Sequence, residues 1–317
     1  IRCQDPQAVK AISTELANKV RKVNAPSFIP GSMLALMGKV MGGMTKSAPM
    51  DGFIITLLMK RWGTVSNNTL GATSGDSPIK NWGGSVKDYN YSYFKNLNPD
   101  RITQLETQKY HCYSCNIGCG GVVETSKATN GEFSHTHKPE YETCAAFGSL
   151  IMNKDLDAIL YINELLNRAG MDSISAGGTV AFAIECYENG LITKEMADGL
   201  ELKWGDAKAV IALVKKMMAR EGIGDLLADG VKVAASKLGE ATLPYAVHAR
   251  GQEPGMHDSR MDPIMGIHYS ADPTPGRHMI GSGQYYDVTH LWEKVSWAPN
   301  PGFYDKADEY IASEKIA

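Results

Sequence analysis

Residues 155–190, DLDAILYINELLNRAGMDSISAGGTVAFAIECYENG, carry the signals of two consecutive helices. Apolar residues recur at helical spacing in both halves, and a polar N-cap, Asn153 or Asp155, precedes the first half. Gly170 and Gly190 follow the two halves, where a residue in the left-handed conformation commonly ends a helix. Because caps, period and terminal glycines agree, we predict a pair of helices here.

The same signals extend outward from this pair over most of the chain. Further helices are predicted at 5–23, 32–44, 51–61, 206–220, 224–238 and 304–316. A short strand is predicted at 122–125, whereas 62–97 and 243–302 lack a sustained period and indicate long ordered loops. The sequence therefore predicts a mainly α, multihelical fold.

Length and composition narrow the class of protein. The chain has 317 residues and a formal net charge of −3, so no general field favours nucleic acid. No window reaches the roughly 18 apolar residues of a membrane span. Because both ends run directly into helical patterns, we expect a fragment of a longer polypeptide. We predict domains at 1–34 (the end of a preceding domain or a linker), 35–240 and 241–317.

Three cysteines lie within eight residues in the stretch KYHCYSCNIGCGG, 109–121. Thiolates of Cys112, Cys115 and Cys119 suit zinc or an iron–sulfur cluster, and the glycines between them permit a tight wrap. A fourth ligand must come from elsewhere; the zinc candidates are His111, His135, His137 and Cys144. The spacing favours a [4Fe–4S] cluster and leaves zinc open.

The remaining cysteines stand singly among apolar or helical residues. Cys3, Cys144 and Cys186 are predicted to be buried as small apolar side chains rather than ligands.

Two carboxylates flank an aromatic residue in the stretch PEYETCAAFG, 139–148. In a pocket of low dielectric constant, Glu140 or Glu142 would exchange protons with a substrate. The alternative is a helix N-terminus, where acidic side chains offset the helix dipole.

The turn between the two quoted helices offers polar groups to a ligand. Asn167, Gly170, Met171 and Asp172 form it, and Asp172 is a bidentate acceptor that suits the amino-pyrimidine edge of a pterin. The alternative is an ordinary N-cap at Asp172.

Titratable side chains concentrate in the irregular segment that follows. Four of the eight histidines and three arginines lie there: His248, His257, His268, His278, Arg250, Arg260 and Arg277. A loop of this composition indicates substrate or cofactor contacts.

Taken together, these residues resemble the tungsten-dependent aldehyde:ferredoxin oxidoreductase family. The resemblance runs from about residue 60 to residue 279 and rests on the order of several motifs. These are Gly63-Thr64, PIKN at 78–81, the cysteine triplet, PEYET at 139–143, the turn ending at Asp172 and GRH at 276–278. The resemblance implies two all-α domains of the C-terminal type found in this family.

The resemblance also implies a chemistry. Family members oxidise aldehydes to carboxylic acids at a tungsten (or molybdenum) bis-pterin centre and pass electrons through a [4Fe–4S] cluster to ferredoxin. The implied setting is an anaerobic cytoplasm. The implied partners are ferredoxin or an electron-transfer subunit and a small aldehyde, with homo-oligomer formation left open.

Residue by residue, the resemblance implies that Cys112, Cys115 and Cys119 hold the cluster. Glu142 matches a glutamate near tungsten, and His278 matches a histidine near the substrate. The pterin motif is carried by Asn167, Gly170, Met171 and Asp172, with Asn167 standing where the family has Asp. A second copy of that motif supplies the fourth cluster cysteine in the family, and we expect it beyond Ala317.

Two rival functions remain open. A divergent family member would reduce aromatic thioesters or other substrates within a larger electron-transfer complex. A non-catalytic helical module held together by zinc is the alternative from another class.

Overall fold

The computed structural model describes residues 3–24, 28–43 and 52–278, and the chain there is mainly helical, as predicted. The helices are α1 Pro6–Lys22, α2 Met33–Gly42, α3 Gly52–Arg61, α4 Asn67–Ser74, α5 Tyr91–Phe94, α6 Pro99–Thr103, α7 Tyr141–Ala146, α8 Leu156–Ala169, α9 Ser173–Glu188, α10 Ala207–Ala219, α11 Ile223–Leu227, α12 Val231–Leu238 and α13 Pro263–Ala271. Single 3-10 turns occur at Gly63–Ser66, Lys95–Leu97, Ser149–Ile151 and Glu240–Tyr245. None of the helices in these described ranges is long and apolar enough to cross a membrane.

Helix α9 lies at the centre of the core. Its residues from Val180 to Ile184 are almost fully buried, which explains why its sequence is apolar on every side. Helix α7 packs directly against it: a Cβ on Gly177 would lie 2.6 Å from Cβ of Ala146. This close approach needs glycine, and it fixes the position of α7, which carries the carboxylate described below.

The ends of the quoted helical pair form as their sequence predicts. The side chain of Asp155 accepts the N–H of Ala158, and that of Asp172 accepts the N–H of Ser175 at 2.7 Å. Gly170 closes α8 with a φ of 65°. The helix-capping alternative for Asp172 is therefore present in the structure.

A small antiparallel sheet stands at one side of the helices. Its strands are β1 Glu106–Tyr110, β2 Gly120–Glu124 and β3 His135–His137, in the order β1-β2-β3. Only β2 was expected from the sequence. The nine residues between β1 and β2 contain all three clustered cysteines, so the hairpin presents them in one loop.

Two segments differ from the sequence prediction. Segment 62–97 is not simply a loop, because α4 and α5 form within it. The helix predicted at 224–238 is two helices, α11 and α12, separated at Gly230, whose φ is 87°. The carboxylate of Glu253 accepts the N–H of Val231 at 2.7 Å beside this break, where a Cβ on residue 230 would crowd it.

The segment 243–302, predicted to be a long loop, is not irregular throughout. Helix α13 lies inside the segment expected to be irregular. The predicted helix at 304–316 and the end of the 243–302 loop lie outside the described residues.

Cys144 and Cys186 are buried as predicted. The prediction for Cys3 was wrong: Cys3 is exposed and precedes α1, a helix that buries none of its residues.

Candidate active site

Four titratable side chains from distant parts of the chain meet in one buried cluster, the carboxylate–imidazole cluster. Glu142 lies in the first turn of α7, and Asp76 follows directly after the left-handed Gly75 that ends α4. His257 and His278 lie on the loops before and after α13. Helix packing around α7 therefore positions a site that no short sequence motif contains.

The distances define a chain of contacts. Nδ1 of His257 lies 2.9 and 3.0 Å from the two carboxylate oxygens of Asp76. Nε2 of His257 and Nε2 of His278 each lie 3.4 Å from Oε1 of Glu142. The two imidazole rings meet edge to face, with centroids 4.9 Å apart. Glu142 is thus placed between two histidines, one of which is held by a second carboxylate.

The charges of this cluster control its protonation. Burial alone would raise the pKa of Glu142, but the contact with His257 and the charges of both histidines outweigh it, and the pKa is lowered. The pKa of Asp76 is lowered in the same way, against its burial, by His257. Burial would lower the pKa of His257, yet Asp76 and Glu142 raise it well above 6.5.

The pKa of the second histidine, His278, shifts in the opposite direction. Burial lowers the pKa of His278, and the positive charge of His257 adds to this, although Glu142 acts against both. Near neutral pH the cluster therefore holds two carboxylates, one imidazolium at His257 and a neutral imidazole at His278.

Two buried atoms of the cluster lack hydrogen bonds. Within the described part of the chain, Oε1 of Glu142 and Nδ1 of His278 have no partner of good hydrogen-bond geometry. A buried carboxylate oxygen without a partner is costly unless something else contacts it. These atoms are where a reactant or cofactor would be recognised.

Two tyrosines fix the loop that carries His257. The hydroxyl of Tyr141 donates to the carbonyl of Met256 at 2.5 Å and pairs with the hydroxyl of Ser77 at 3.0 Å. The hydroxyl of Tyr269 donates to the carbonyl of Gly255 at 2.9 Å. The loop is thereby tied to both α7 and α13, so His257 has little freedom to move.

The loop that carries Cys112, Cys115 and Cys119 turns tightly. The N–H of Ile117 donates to Sγ of Cys115 at 3.4 Å, and Ser114 and Gly118 adopt φ angles of 58° and 66°. The Cys115 N–H donates to the carbonyl of Cys112 at 3.0 Å. Burial raises the pKa of Cys119 in the absence of a metal. An amide N–H directed at sulfur is compatible with an iron–sulfur cluster.

The spread of the thiols bears on the choice between zinc and a cluster. A single tetrahedral zinc with Zn–S bonds of about 2.3 Å brings its sulfurs to about 3.8 Å of one another. Within the described residues, one group of three side chains has potential ligand atoms within 4.8 Å of one another, Glu142, His257 and His278, and the cysteines form no such group. The thiol positions therefore leave both zinc and a cluster open.

The four other zinc-ligand candidates, His111, His135, His137 and Cys144, occupy different places in the fold. Cys144 is buried inside α7, and His137 contacts Asn167. His135 pairs with Glu124, at the end of β2 away from the cysteine loop. His111 packs against Gly118 and contacts the carbonyl of Cys115 at 3.1 Å, so it is the candidate that lies beside the loop.

The turn assigned to a pterin lies on the surface and is linked to the histidine loop. Asn167, Gly170 and Asp172 are exposed, and Met171 is half-buried. Arg277 directly precedes His278, and its Nη2 lies 3.1 Å from Oδ1 of Asp172. Exposed acceptors at a helix turn leave room for a cofactor that the described residues do not enclose.

The structure separates the histidines that the sequence grouped together. His257 and His278 reach Glu142, whereas Nδ1 of His248 accepts the N–H of Gly251 and His268 is buried in α13. Sequence reasoning missed Asp76, which lies in the segment 62–97 that was predicted to be a long loop. The available signal was an acidic residue placed directly after a helix-ending glycine, and that pattern alone does not distinguish a ligand from a turn.

Comparison with known proteins identifies the family of this chain. Residues 45–315 match the family described as aldehyde ferredoxin oxidoreductase, domains 2 & 3. The chain belongs to this family. The fold class and the family resemblance predicted from the sequence are thereby confirmed.

Two curated relatives are proteins of Pyrococcus furiosus. The chain is 32% identical to a tungsten-containing aldehyde ferredoxin oxidoreductase of Pyrococcus furiosus, over 70% of this chain and 35% of the relative. It is 31% identical to the WOR-like subunit of an aliphatic sulfonate oxidoreductase of the same organism, over 69% of this chain and 35% of that subunit. The chain thus spans about a third of the length of the curated relatives it matches.

A solved structure shares the fold. The active site complex BamBC of benzoyl coenzyme A reductase, bound to 1,5-dienoyl-CoA, matches 84% of this chain and 37% of the solved chain, with a TM-score of 0.56 and 19% identity. At this identity the likeness concerns the fold alone.

Proposed function

We propose that the protein containing this chain oxidises aldehydes to carboxylic acids at a tungsten bis-pterin centre. The balanced reaction takes one aldehyde and one water and gives one carboxylic acid, two protons and two electrons. Through a [4Fe–4S] cluster the electrons pass singly to ferredoxin. Support comes from the family, the tungsten-containing relatives and the buried Glu142 between two histidines.

The bound pterin metal, tungsten or molybdenum, would supply the two-electron acceptor at the carbonyl carbon. Asn167, Gly170, Met171 and Asp172 would hold the pterin at the α8–α9 turn. Cys112, Cys115 and Cys119 would hold the cluster with a fourth ligand from outside this chain.

The protein's own groups would handle the protons. Oε1 of Glu142 is buried, ionised near neutral pH and free of hydrogen bonds within the described residues, so it accepts a proton from water or the hydrated aldehyde. Nε2 of His278, 3.4 Å from that oxygen, hydrogen-bonds the substrate oxygen and orients it. This placement of Glu142 is the observation that carries the proposal.

An electron acceptor would approach at the cysteine loop. A cleft of about 580 Å³ lies beside it, and four of its lining side chains are cationic: Arg21, Lys60, Arg61 and Lys109. A concentration of positive charge next to the cluster ligands suits an acidic ferredoxin.

We also propose an anaerobic cytoplasmic setting, because an iron–sulfur cluster of this kind is sensitive to oxygen. The proposed domain limits remain 1–34, 35–240 and 241–317.

The experiment compares Glu142→Gln with Glu140→Gln in the full-length, metal-loaded protein. General-base catalysis typically contributes about 10²–10⁴-fold, so E142Q should lose that factor in kcat and retain its metals. Glu140 is the neighbouring acid and accepts a hydrogen bond from Thr64, which a glutamine preserves, so E140Q should stay close to wild type. Aldehyde oxidation by E142Q at the wild-type rate would contradict the proposal.

A second candidate reaction is reductive. His257 is an imidazolium near neutral pH and touches Glu142, so the cluster also holds a proton that a substrate reduction needs. The candidate substrates are aromatic thioesters, with a partner subunit supplying electrons. Assays of the full-length protein with an aldehyde plus an oxidised dye, and with an aromatic thioester plus a reduced dye, decide between the two directions.

Metal analysis excludes or supports a non-catalytic zinc module. Iron, sulfide, tungsten, molybdenum and zinc should be measured on the anaerobically purified full-length protein. About four irons per chain with tungsten support the oxidoreductase. Zinc alone, at about one per chain, would support a structural module.

A further inference from the structure

We propose that Asp76 is a positioning residue of the active site: its carboxylate holds Nδ1 of His257 and thereby directs Nε2 of the same ring at Oε1 of Glu142. This inference rests on the proposed role of Glu142 and adds two residues to it. Neither the cysteine loop nor the α8–α9 turn is involved.

Asp76 is itself held in a single orientation. Its Oδ2 accepts the side-chain N–H of Asn67 at 2.8 Å, and its backbone carbonyl accepts the N–H of Asp258 at 2.6 Å. The preceding Gly75, with a φ of 98°, ends α4 and turns the chain toward the cluster. A carboxylate anchored on both its side chain and its backbone is a fixed reference point for the ring beside it.

The His257 ring has its direction set by this contact. Both oxygens of Asp76 lie within 3.0 Å of Nδ1, so a flip of the ring would replace this nitrogen by a carbon and break the contact. The Tyr141 ring packs against the His257 ring, with their centroids 5.2 Å apart. The His278 ring meets the His257 ring edge to face. Nε2 is left facing Glu142 at 3.4 Å.

The same contact sets the charges of the cluster. Among the described residues, the titratable groups that face His257 are Asp76, Glu142, His278, Tyr141 and Tyr269. Burial raises the pKa of both tyrosines well above 10, so they stay neutral. The imidazolium of His257 is thus stabilised by Asp76 and in turn keeps Glu142 ionised. A site that loses Asp76 should hold a neutral His257 and a more basic Glu142.

The first test is a histidine titration of the full-length protein, in its oxidised holo form, labelled with ¹³C at histidine Cε1. The His257 resonance is assigned as the signal missing from His257→Gln. In wild type its midpoint should lie well above the ordinary histidine value near 6.5. In Asp76→Asn its midpoint should fall by about 1–3 pH units, because an opposite charge at this distance supplies that shift.

Asp258→Asn is the matched control for the titration. Asp258 is the next residue along the chain, but its buried carboxylate pairs with Arg260 rather than with the His257 ring. This variant should lose stability without moving the His257 midpoint. The proposal is overturned if wild-type His257 titrates near its ordinary value, or if D76N leaves the midpoint unchanged. A wild-type midpoint near the ordinary value would overturn the proposal whether or not D76N folds.

The second test separates positioning from general structural support. In the holoenzyme, D76N should move the acid limb of the kcat profile to higher pH, since Glu142 then protonates more readily. The double variant D76N/H257Q should match H257Q alone, because Asp76 acts through His257. An additive loss in the double variant would contradict this. If E142Q proves fully active, the proposed function fails while the titration result still stands on its own.

Discussion

Oε2 of Glu142 accepts the backbone N–H of Met256 at 2.7 Å, across 114 residues of sequence. This bond joins the first turn of α7 to the loop before α13 and uses the carboxylate oxygen that does not face the histidines. One oxygen of Glu142 is therefore structural and the other is available for chemistry. A glutamine at this position could keep the structural bond, which is why E142Q tests proton transfer rather than folding.

The stability of the cluster should depend on pH in a predictable direction. The folded pKa values of Asp76 and Glu142 are lowered from 3.8 and 4.5, so their contribution is present above those values and is lost as pH falls through the folded ones. The folded pKa of His257 is raised from 6.5, so its contribution is present below 6.5 and is lost only as pH rises through the higher folded value.

His257→Gln should therefore lower the Tm most between about pH 4.5 and 6.5, where all three contributions coincide. The gap from wild type should close as the solution becomes more acidic, because protonated carboxylates no longer need the imidazolium. His248→Gln, outside the cluster, should show a small change that does not vary with pH. Thermal melts at several pH values measure this, and a constant gap for H257Q would contradict the charge assignment.

Gly177→Ala should destabilise the protein by about 1–3 kcal/mol, the usual cost of overpacking a core. The added Cβ would lie 2.6 Å from Cβ of Ala146 and would push α7 away from α9. Gly52→Ala is the control, since this helical glycine has open space around its Cβ position. Chemical denaturation gives both values. Because α7 carries Glu142, G177A should also reduce kcat.

Serine substitutions at Cys112, Cys115 and Cys119 should each lower the iron content of the full-length protein and its cluster absorbance. Serine removes the soft thiolate but keeps the size of the side chain. Cys3→Ser should leave iron unchanged, as Cys3 is exposed and precedes α1. Equal iron in all four variants would place the cluster elsewhere.

Electron transfer to an acidic carrier should depend on the basic cleft. The double variant Arg21→Gln/Lys109→Gln should slow reduction of ferredoxin and flatten its dependence on salt, because screening acts on long-range attraction. Lys10→Gln/Lys87→Gln removes the same charge from exposed positions outside the cleft and should behave like wild type. Stopped-flow kinetics at low and high ionic strength provide the comparison.

The sequence predicted the helices whose ends are local and failed where ends depend on distant contacts. Asp155 and Asp172 cap helices and Gly170 ends one, each through contacts within one helical turn. The local sequence was therefore enough to predict their roles. The break at Gly230 is stabilised by Glu253, which lies 23 residues later and is invisible to a local pattern. Strands β1 and β3 were missed because their residues are polar and pair only through β2.

The active site was predicted in part for a similar reason. Glu142 and His278 were named through a family resemblance, and the structure places them 3.4 Å apart; their catalytic roles stay predictions. Asp76 was missed, because its partner His257 is 181 residues away and only the folded chain brings them together. Helix periodicity reports what a segment buries and carries no information on which remote side chain it meets.

The long separation of its parts gives this site an order of assembly. Contacts over 114 and 181 residues form late in folding, since each requires closing a long loop. A ribosome must release residue 278 before the histidines can surround Glu142. A chain that stops short of residue 257 therefore contains the whole cysteine hairpin, a local structure, but cannot form the carboxylate–imidazole cluster. The cluster is complete only when residues 76–278 have all been synthesised and packed.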